Sequence, residues 1–583
     1  MKNIIHFFTF FLVIHLFLIN KIECQKFKFD WAKSAIGIQE ELPRIIKIDH
    51  KGNIYIVGEF DSKNLNVGGH IISKGNTVHD LVLNVFLIKY NADGTVIWAK
   101  SFKAQDHAAI AGIDIDLENN IILSIYADNN YLDLDSVRVY SKKASNMVIA
   151  KYSEHGKLIW AKSLGCDNVL DGIGGLVVDS DNNFYISGYY GATIYDDDGN
   201  IIVERSMKDA YEGYVMKFNI QGKVLWLKSI YGPKGEIIRA MSIDKDQNII
   251  LQGTFSGKTM SIDNFTIQNS SNLITFEIYY NDIFFAKLDK DGKTIWLKSF
   301  KGKGDEYSGV KISIDHEDNI YLNGVFDSDT IYFSKMKYEI KNKLNPLNQI
   351  DIFYSKYDPN GNLLWAKVLN NGITELDRIM IEVEPNGNFF LGTTYDNTVF
   401  KTGDLVLPEN KGLNDVFILY CDSEGNVLSH NSYGGKDLEW IIDLAKDQND
   451  NLYILGSYGS DSLTIGSDLL VNSNTDRSGD LYLTKLIKDS LTLIRPIVKS
   501  KSISVYPNPA SNDLFLTIPN HWDENINIII SLIDYLGKEI KLSSEKISKY
   551  EYSINTKLLN NGVYYLKIIS GENSEVVKIM IQH

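Results

Sequence analysis

A repeat that recurs seven times constrains the fold of this 583-residue chain more than any other feature. Its clearest copy runs from Phe86, through a turn at Asp93 and Gly94, to Trp98 and Ser101. Tryptophans mark the register at positions 31, 98, 160, 226, 296 and 365, spaced by 62 to 70 residues, and a serine at 429 fills the seventh slot. Self-similarity at such a period indicates one supersecondary unit that is used many times.

Each copy of the repeat predicts four short strands joined by hairpins. The segment before each tryptophan, such as Phe86–Tyr90, is β-branched and aromatic, and an Asp-Gly or Asn-Gly turn follows it. Such turns accept the positive φ angles that a tight hairpin needs. Ile46–Asp49 and Asn53–Gly58 predict the second hairpin. Because four strands cannot bury both faces alone, radial stacking into a ring is favoured. The sequence therefore predicts an all-β fold with a seven-bladed β-propeller over residues 25–490.

Two strands compete for the last place in this predicted ring. The chain enters the repeat half-way through a copy, at Trp31, and the third strand of the last copy is Leu481–Lys485. Either the N-terminal strand completes the last blade, or Leu491–Arg495 does. Trp31 matches the repeat consensus and the C-terminal segment does not, which favours closure by the N-terminal strand. The missing tryptophan at Ser429 predicts a looser interface unless Trp440 fills the space.

The N-terminus has the pattern of a secretory signal peptide over residues 1–24. Lys2 precedes an apolar run from Ile4 to Ile19, and cleavage between Cys24 and Gln25 is predicted. Lipidation of Cys24 is an alternative, although Glu23 is unlike the small residue that a lipoprotein signal carries before its cysteine. No other stretch is long and apolar enough to predict a transmembrane segment.

The C-terminus departs from the repeat after a predicted linker at 491–500. Regular turn signals over 501–583 predict a small antiparallel β-sandwich. Its motifs contain Tyr506, Pro507, Asn508, Pro509, Gly537, Gly562 and Tyr564.

These C-terminal motifs resemble the type A sorting domain of the type IX secretion system of the Bacteroidetes. The repeats are similar to bacterial propeller repeats, which carry no uniform activity. The resemblance implies that the type IX machinery is a partner. It also implies a location outside the cell or on the outer-membrane surface, usually with removal of the sorting domain.

Composition narrows the classes of partner. The formal net charge of −15 disfavours nucleic acid and anionic membranes as ligands. After signal cleavage only Cys166 and Cys421 remain, in different predicted blades, so a disulfide scaffold is excluded. A monomer is expected.

Acidic residues are the candidates for a ligand or metal site. Turns such as Asp179–Asn183 resemble calcium loops, but none has the full twelve-residue pattern, and side-chain capping of the turn is the simpler interpretation. A second series precedes the first strand of each repeat and is expected to surround the axial opening, where it can attract calcium or a polar ligand. Capping of each residue's own loop is the competing interpretation. The series comprises Glu41, Asp106, Asp171, Glu236, Asp305, Glu375 and Asp437.

No catalytic constellation emerges from the sequence, and no catalytic residue or cofactor is assigned. The tryptophans are expected to pack between blades rather than stack on sugars. The leading interpretation is a secreted or surface-displayed platform that binds a glycan or protein through one loop face. The alternative is a secreted carbohydrate-active enzyme, with the long connectors Gly257–Asp282 and Ser328–Asp351 forming a shared rim site.

Overall fold

The structure is a computed structural model, and it describes most residues between 27 and 583. The described residues are 27–75, 83–104, 107–128, 131–140, 143–168, 170–205, 210–270, 273–275, 278–328, 330–333, 336–339, 350–373, 379–395, 401–402, 405–406, 408–472, 479–489, 503–508, 510–517, 528–534, 538–540, 544–548, 550–570 and 573–583. All regular elements within them are strands, so the all-β prediction is confirmed for this part of the chain. The predicted signal peptide with Cys24 and Gln25, and the linker 491–500, lie outside it. Two compact units are present, Met1–Asp489 and Ser490–His583.

The first unit contains forty-five strands within the described residues. The first nineteen are β1 (Phe27–Ile36), β2 (Glu41–Ile48), β3 (Ile54–Phe60), β4 (Asn64–Val67), β5 (His70–Ser73), β6 (Asn84–Tyr90), β7 (Val96–Ala104), β8 (Ala108–Ile115), β9 (Ile121–Asp128), β10 (Tyr131–Leu134), β11 (Val137–Tyr140), β12 (Ser145–Tyr152), β13 (Leu158–Cys166), β14 (Leu170–Val178), β15 (Phe184–Tyr190), β16 (Ile194–Tyr195), β17 (Ile201–Val203), β18 (Glu212–Phe218) and β19 (Val224–Ile230). The others are β20 (Glu236–Ile243), β21 (Ile249–Phe255), β22 (Thr259–Ile262), β23 (Phe265–Gln268), β24 (Leu273–Thr275), β25 (Ile278–Tyr279), β26 (Asp282–Leu288), β27 (Thr294–Ser299), β28 (Glu306–Ser308), β29 (Ser313–Ile314), β30 (Ile320–Phe326), β31 (Thr330–Phe333), β32 (Met336–Glu339), β33 (Ile350–Tyr357), β34 (Leu363–Ile373), β35 (Met380–Val383), β36 (Phe389–Tyr395), β37 (Lys401–Thr402), β38 (Leu405–Val406), β39 (Asp415–Cys421), β40 (Val427–Tyr433), β41 (Glu439–Lys446), β42 (Leu452–Tyr458), β43 (Ser462–Ile465), β44 (Asp468–Val471) and β45 (Asp480–Lys488).

These strands form antiparallel sheets. In each sheet, four strands lie side by side in the order in which they occur in the repeat, and they are called its first to fourth strands. In chain order, sheets 1 to 7 are β2-β3-β6-β7, β8-β9-β12-β13, β14-β15-β18-β19, β20-β21-β26-β27, β28/β29-β30-β33-β34, β35-β36-β39-β40 and β41-β42-β45-β1. The first strand of sheet 5 is split into β28 and β29, which both pair with β30. Each of sheets 1 to 6 thus comes from one copy of the repeat, because the hairpins of a copy satisfy the backbone of its own neighbouring strands.

Short hairpins lie between the second and third strands of the repeats. The hairpin β4–β5 pairs with β1 of sheet 7, β10–β11 pairs with β7 of sheet 1, and β16–β17 pairs with β13 of sheet 2. In these three repeats, the inserted hairpin therefore extends the preceding sheet beyond its fourth strand.

Sheet 7 combines both ends of the first unit. Strand β1 pairs antiparallel with β45, and Trp31 lies opposite Lys485. The fourth strand of this sheet comes from the N-terminus, whereas its other three strands come from the last repeat.

The core of the first unit is divided among apolar clusters that lie between neighbouring sheets. One cluster joins sheets 1 and 2 through residues such as Val57 and Leu123, and further clusters follow for each successive pair up to sheets 6 and 7. Another cluster joins sheet 7 to sheet 1 and contains Ala35, Ile56 and Leu483. Burial of these side chains is the main favourable contribution to folding of the unit.

The second unit is built from two four-stranded antiparallel sheets. Its strands are β46 (Ser504–Tyr506), β47 (Asp513–Thr517), β48 (Ile528–Asp534), β49 (Glu539–Ile540), β50 (Ser544–Ser548), β51 (Glu551–Asn555), β52 (Gly562–Ser570) and β53 (Asn573–Ile581). The sheet orders are β46-β47-β51-β50 and β49-β48-β52-β53. Leu514 and Ile554 of one sheet share a buried cluster with Leu532, Leu566 and Ile579 of the other. Two sheets that share one core form a sandwich.

Two further features bear on cellular location and redox chemistry. In the described part of the chain, no helix is long and apolar enough to cross a lipid bilayer. Cys166 in sheet 2 and Cys421 in sheet 6 are buried free thiols, and burial raises the pKa of both. Neither residue forms a disulfide bond.

Candidate functional site

The acidic hairpin turns cap their own backbone. In sheet 3, Asp179 Oδ1 accepts the N–H groups of Asp181 and Asn183 at 3.0 and 2.8 Å. Asp244 and Asp289 accept equivalent pairs of N–H groups in their turns. The capping interpretation is therefore confirmed for these turns, whose carboxylates satisfy local donors. Within the described residues, no group of three or more His, Cys, Asp and Glu side chains is placed to hold a metal ion.

Each repeat tryptophan packs on a turn of the following sheet. Trp296 of sheet 4 covers Gly361, the glycine of the turn between the third and fourth strands of sheet 5. The same contact joins Trp31 to Gly94, Trp98 to Gly156, Trp160 to Gly222, Trp226 to Gly292 and Trp365 to Gly425, and a Cβ on any of these six glycines would lie 2.8–3.2 Å from the ring. Their φ angles are 70–81°. Glycine is required at this position both by the backbone conformation and by the close approach of the ring.

A lysine on the third strand adds a polar link to the same turn. Lys89 Nζ of sheet 1 donates to the carbonyl of Glu154 in the turn of sheet 2, at 2.9 Å. Lys217 and Lys287 reach the next turn in the same way, and they also form ion pairs with Asp179 and Asp244 of their own sheets. These lysines are buried, so their ammonium groups bind the scaffold rather than a ligand.

Sheet 6 lacks both of these side chains. Ser429 occupies the tryptophan position and Tyr420 occupies the lysine position. Sheet 7 offers no turn for them to contact, because its third and fourth strands come from opposite ends of the unit. Phe27 of β1 packs instead on Tyr420, with ring centroids 4.7 Å apart, and Phe29 packs on Tyr433 at 5.3 Å. Phe27 and Phe29 thus fill this interface, and both belong to the half-repeat that contains Trp31.

Only some of the acidic residues predicted to surround the axial opening occupy equivalent positions in their sheets. Glu41 and Glu236 begin β2 and β20, and both side chains are fully buried between neighbouring sheets. Asp305 and Asp437 are half-buried in loops, one and two residues before β28 and β41. Asp171 lies within β14, and its side chain is outside the described set, as are Asp106 and Glu375.

The residues equivalent to Glu41 in sheets 5 and 7 are Glu306 and Glu439. Both begin a first strand, both are fully buried, and each lies opposite an aromatic residue on the second strand, Phe326 or Tyr458. Asp305 has a different role, because its carboxylate accepts the backbone N–H of Asn281 at 2.8 Å. The sequence signal that identifies the equivalent residue is the aromatic residue closing the second strand.

Burial controls the charge of these glutamates. Desolvation raises the pKa of Glu236 to about 9, although a backbone N–H of Gly232 opposes the rise. Desolvation likewise raises the pKa of Glu41, Glu306 and Glu439. At a pKa of about 9, the carboxyl groups of Glu41, Glu236 and Glu306 are protonated at neutral pH and contribute no negative charge there.

A lysine links the first strands of three sheets. Lys311 lies in the interruption between β28 and β29, and its ammonium group binds Glu382 of sheet 6 at 2.8 Å and Asp443 of sheet 7 at 3.1 Å. Burial opposes its charge, but the two carboxylates outweigh burial and raise the pKa of Lys311. Its position and neutralised charge make it a structural connection between sheets 5, 6 and 7.

A groove lies between the hairpin β10–β11 and the fourth strand of sheet 2. Its cavity volume is about 700 Å³, and its lining includes Val137, Tyr140, Ile159 and Trp160, with Lys157 and Asp197 at the polar margin. Tyr140 is 64% exposed and Ile159 is 51% exposed. β11 is an edge strand, paired only with β10. A concave site of this size, with an apolar surface and a few charged groups, suits a small or extended ligand.

The predicted sorting-motif residues are divided between surface and core in the second unit. Asn508 donates from Nδ2 to the carbonyl of Lys578 at 3.1 Å and accepts the N–H of Met580 at 2.8 Å. Tyr506 is exposed and stacks on Phe515. Pro507 is exposed between these two motif residues, and Gly562 begins β52 at the surface.

Tyr564 is the buried member of the motif, and its hydroxyl donates to the carbonyl of Asn560 at 2.9 Å. Pro509 and Gly537 lie outside the described residues. The motif therefore attaches the start of the sandwich to its last strand.

Comparisons with known proteins agree with this division of the chain. Residues 504–582 match the family described as "Secretion system C-terminal sorting domain". An uncharacterized WD repeat-containing protein of Acanthamoeba polyphaga mimivirus is 24% identical over 395 residues, which cover 58% of this chain and 28% of that protein. The chain thus spans about a quarter of the length of this relative.

Solved structures with low similarity include the plexin A4 extracellular region, with 10% identity and a TM-score of 0.38, covering 94% of this chain and 67% of that one. A DUF4221-family protein of Bacteroides vulgatus has 9% identity and a TM-score of 0.28, covering 79% and 98% of the two chains.

Proposed function

We propose that this protein is a substrate of the type IX secretion system that displays or releases a β-propeller as a binding platform. The observation that carries the proposal is the sorting-domain match over 504–582, which implies export to the cell surface or the extracellular space. The sorting domain engages the secretion machinery, and the first unit provides the exported surface. The WD-repeat description of the mimivirus relative supports a repeat platform.

The platform is proposed to be a closed ring of seven blades. Support comes from the pairing of β1 with β45 and from the packing of Trp31 on Gly94, which repeats across sheets 7 and 1 the contact seen between other neighbours. The backbone N–H of Ile46 in sheet 1 also donates to Asp443 of sheet 7 at 3.1 Å. A ring leaves only short, protected strand edges.

The ligand is proposed to be a glycan bound in the groove beside β11. Exposed Tyr140, Val137 and Ile159 offer an apolar surface to the C–H faces of sugars, and Lys157 and Asp197 offer polar groups to hydroxyls. Charges of both signs favour a neutral ligand over a strongly charged one. Two carboxylates, Asp135 and Asp197, line this groove, but Asp135 is held in an ion pair with Lys100 at 2.7 Å, so binding is favoured over glycoside hydrolysis.

Export is tested in a host with an active type IX system. The full chain is expected on the cell surface or in the medium, whereas a chain lacking residues 501–583 is expected in the periplasm. Asn508→Ala removes the two hydrogen bonds to the last strand and is expected to reduce export. Surface delivery of the truncated chain would contradict the sorting role.

Binding is tested separately on the purified ring with a glycan array and a reducing-sugar assay. Tyr140→Ala is expected to lower the array signal at least tenfold, while Tyr332→Ala, an exposed tyrosine on the β31–β32 hairpin, is the matched control. Equal loss in both variants, or no signal from the wild type, would contradict the groove assignment. Release of reducing sugar would favour the enzyme alternative.

A further inference from the structure

Four interfaces between neighbouring sheets contain a pair of buried acidic side chains in the same arrangement. In each, the glutamate that begins a first strand faces the acidic residue that begins the third strand of the preceding sheet. The pairs are Glu41 with Asp480, Glu236 with Glu212, Glu306 with Asp282, and Glu439 with Asp415. The N–H of the glutamate donates to the carbonyl just before its acidic partner, at Gly479, Tyr211, Asn281 and Asn414, over 2.9–3.3 Å.

A serine fixes one oxygen of the glutamate in two of these pairs. Ser328 Oγ accepts the N–H groups of Lys303 and Gly304 at 2.9 and 2.7 Å, so its hydroxyl hydrogen is directed to Glu306 Oε1. Ser62 Oγ has the same environment and donates to Glu41 Oε1. The serine therefore orients each glutamate so that its second oxygen is left for the neighbouring sheet.

The second oxygen faces a carboxyl group without an intervening donor. Glu306 Oε2 and Asp282 Oδ1 are buried, and neither has a hydrogen-bond partner that is an N–H or hydroxyl group among the described residues. The two carboxyl groups lie within hydrogen-bonding reach of each other, as do those of Glu41 and Asp480. Two carboxylates contain no hydrogen to share, and their burial as two anions is unfavourable. A proton held between the two groups satisfies both oxygens.

The surroundings of the pairs favour this proton. Lys301 is the cation near Asp282, and Asp327, from the loop after β30, adds a negative charge near Glu306. Glu40 adds a negative charge near Glu41, and Tyr458 packs beside the Glu41–Asp480 pair. Desolvation is the largest effect and raises the pKa of Glu306, Asp282 and Glu41.

We propose that the Glu306–Asp282 and Glu41–Asp480 pairs each share one proton between neighbouring sheets. The first unit is then most stable in mild acid and becomes progressively less stable toward alkaline pH. A folded-state pKa above the ordinary carboxyl value means that the folded protein binds more protons than the unfolded chain. The stabilisation is therefore complete below the ordinary carboxyl range and is lost as pH rises through the raised values. This inference does not depend on the function proposed for the platform.

The test compares melting temperatures of the full chain between pH 5 and pH 9 in the presence of EDTA. Glu306→Gln supplies the shared hydrogen permanently, because an amide donates to Asp282 and still accepts from Ser328. The variant is expected to match the wild type at pH 5 and to melt ~2 °C or more above it at pH 9. Glu41→Gln is expected to behave in the same way at the other interface. Asp305→Asn, one residue away in a loop, is the matched control and is expected to keep the wild-type pH slope.

Three results would overturn the proposal. One is a difference in melting temperature from the wild type that stays the same between pH 5 and pH 9 in both Glu306→Gln and Glu41→Gln. Another is a wild-type melting temperature that rises from pH 5 to pH 9 while the glutamine variants fall. The third is stabilisation of the wild type, but not of Glu306→Gln, by calcium ions at pH 7, which would place a cation between the carboxylates instead of a proton.

Discussion

The interface between sheets 4 and 5 and the interface between sheets 6 and 7 solve the same packing problem differently. Between sheets 4 and 5, Trp296 covers Gly361, and Lys287 donates to the carbonyl of Pro359 in the same turn. Between sheets 6 and 7 the tryptophan and lysine positions hold Ser429 and Tyr420, and Phe27 from the N-terminal strand fills the space. One interface uses the repeat motif, whereas the other uses a side chain from outside the last repeat.

The difference shows what the tryptophan and lysine of the repeat do. Both side chains contact the turn between the third and fourth strands of the next sheet. They are absent where that turn is absent, because sheet 7 takes β45 and β1 from the two ends of the unit. A ligand-binding role would not depend on the presence of this turn. The tryptophan and the lysine therefore join neighbouring sheets, and their absence from sheet 6 follows from the chain topology.

The largest expected effect comes from removing the tryptophan of an ordinary interface. Trp296→Ala is expected to lower the apparent free energy of unfolding by about 3–5 kcal/mol, because a buried ring is lost and a cavity remains. Ser429→Ala, at the same position in sheet 6, is expected to change it by less than about 0.5 kcal/mol. Urea denaturation followed by tryptophan fluorescence and circular dichroism measures both. Similar losses in the two variants would remove the distinction between the interfaces.

A smaller but still large effect is expected from the side chain that replaces the tryptophan. Phe27→Ala is expected to cost about 3 kcal/mol, because the ring is 8% exposed and contacts both Phe390 and Tyr420. Native-state hydrogen exchange should show faster exchange in β40 and β45 than in β20 and β21. Uniform exchange would indicate that Phe27 does not hold this interface.

Much of this architecture is predictable from the repeat. The tryptophan spacing and the hairpin turns predict antiparallel sheets whose strands follow the order of the repeat, and the described residues of sheets 1 to 6 reproduce this order. The filling of the Ser429 gap is harder to predict. Phe27 stands four residues before Trp31, where the other repeats have the turn glycine, but the sequence does not show that this phenylalanine packs beside Ser429. The sequence predicts a looser interface at Ser429 unless Trp440 fills the space, and it does not identify Phe27 as the side chain that packs there.

The acidic residues show a second limit of sequence reasoning. Asp305 and Glu306 are adjacent, and the spacing of the repeats varies by several residues, so periodicity alone does not identify which residue begins the strand. The consequence is large, because Glu306 is buried against Asp282 whereas Asp305 accepts hydrogen bonds from Asn281. Pairing register, which a one-residue shift reverses, decides between the two roles.

A moderate effect is expected from the turn glycine. Gly361→Ala places a Cβ against Trp296 and Lys298 at a φ angle of 70°, so we expect a loss of about 1–3 kcal/mol. Gly52→Ala shares the positive φ but has open space around it, and it is the control for the backbone contribution. An equal loss at both positions in urea denaturation would mean that the ring contact contributes little.

The smallest effect is expected from restoring the motif where it is missing. Ser429→Trp gives sheet 6 the repeat residue, but no turn glycine lies opposite it in sheet 7. We expect no stabilisation and a cost of up to about 1 kcal/mol. A gain in thermal stability would show that the tryptophan acts without a turn to cover.

The central claim is that the two ends of the repeat region meet within sheet 7. Lys28 and Ile487 lie directly opposite each other on β1 and β45, and the native Cys166 and Cys421 are buried. In the double variant Lys28→Cys/Ile487→Cys, mild oxidation followed by peptide mass spectrometry is predicted to give an intramolecular disulfide between these positions. The variant Lys28→Cys/Leu225→Cys, with the second cysteine at an exposed position on β19 of sheet 3, is the control. A cross-link only between molecules, or none, would contradict closure by the N-terminal strand.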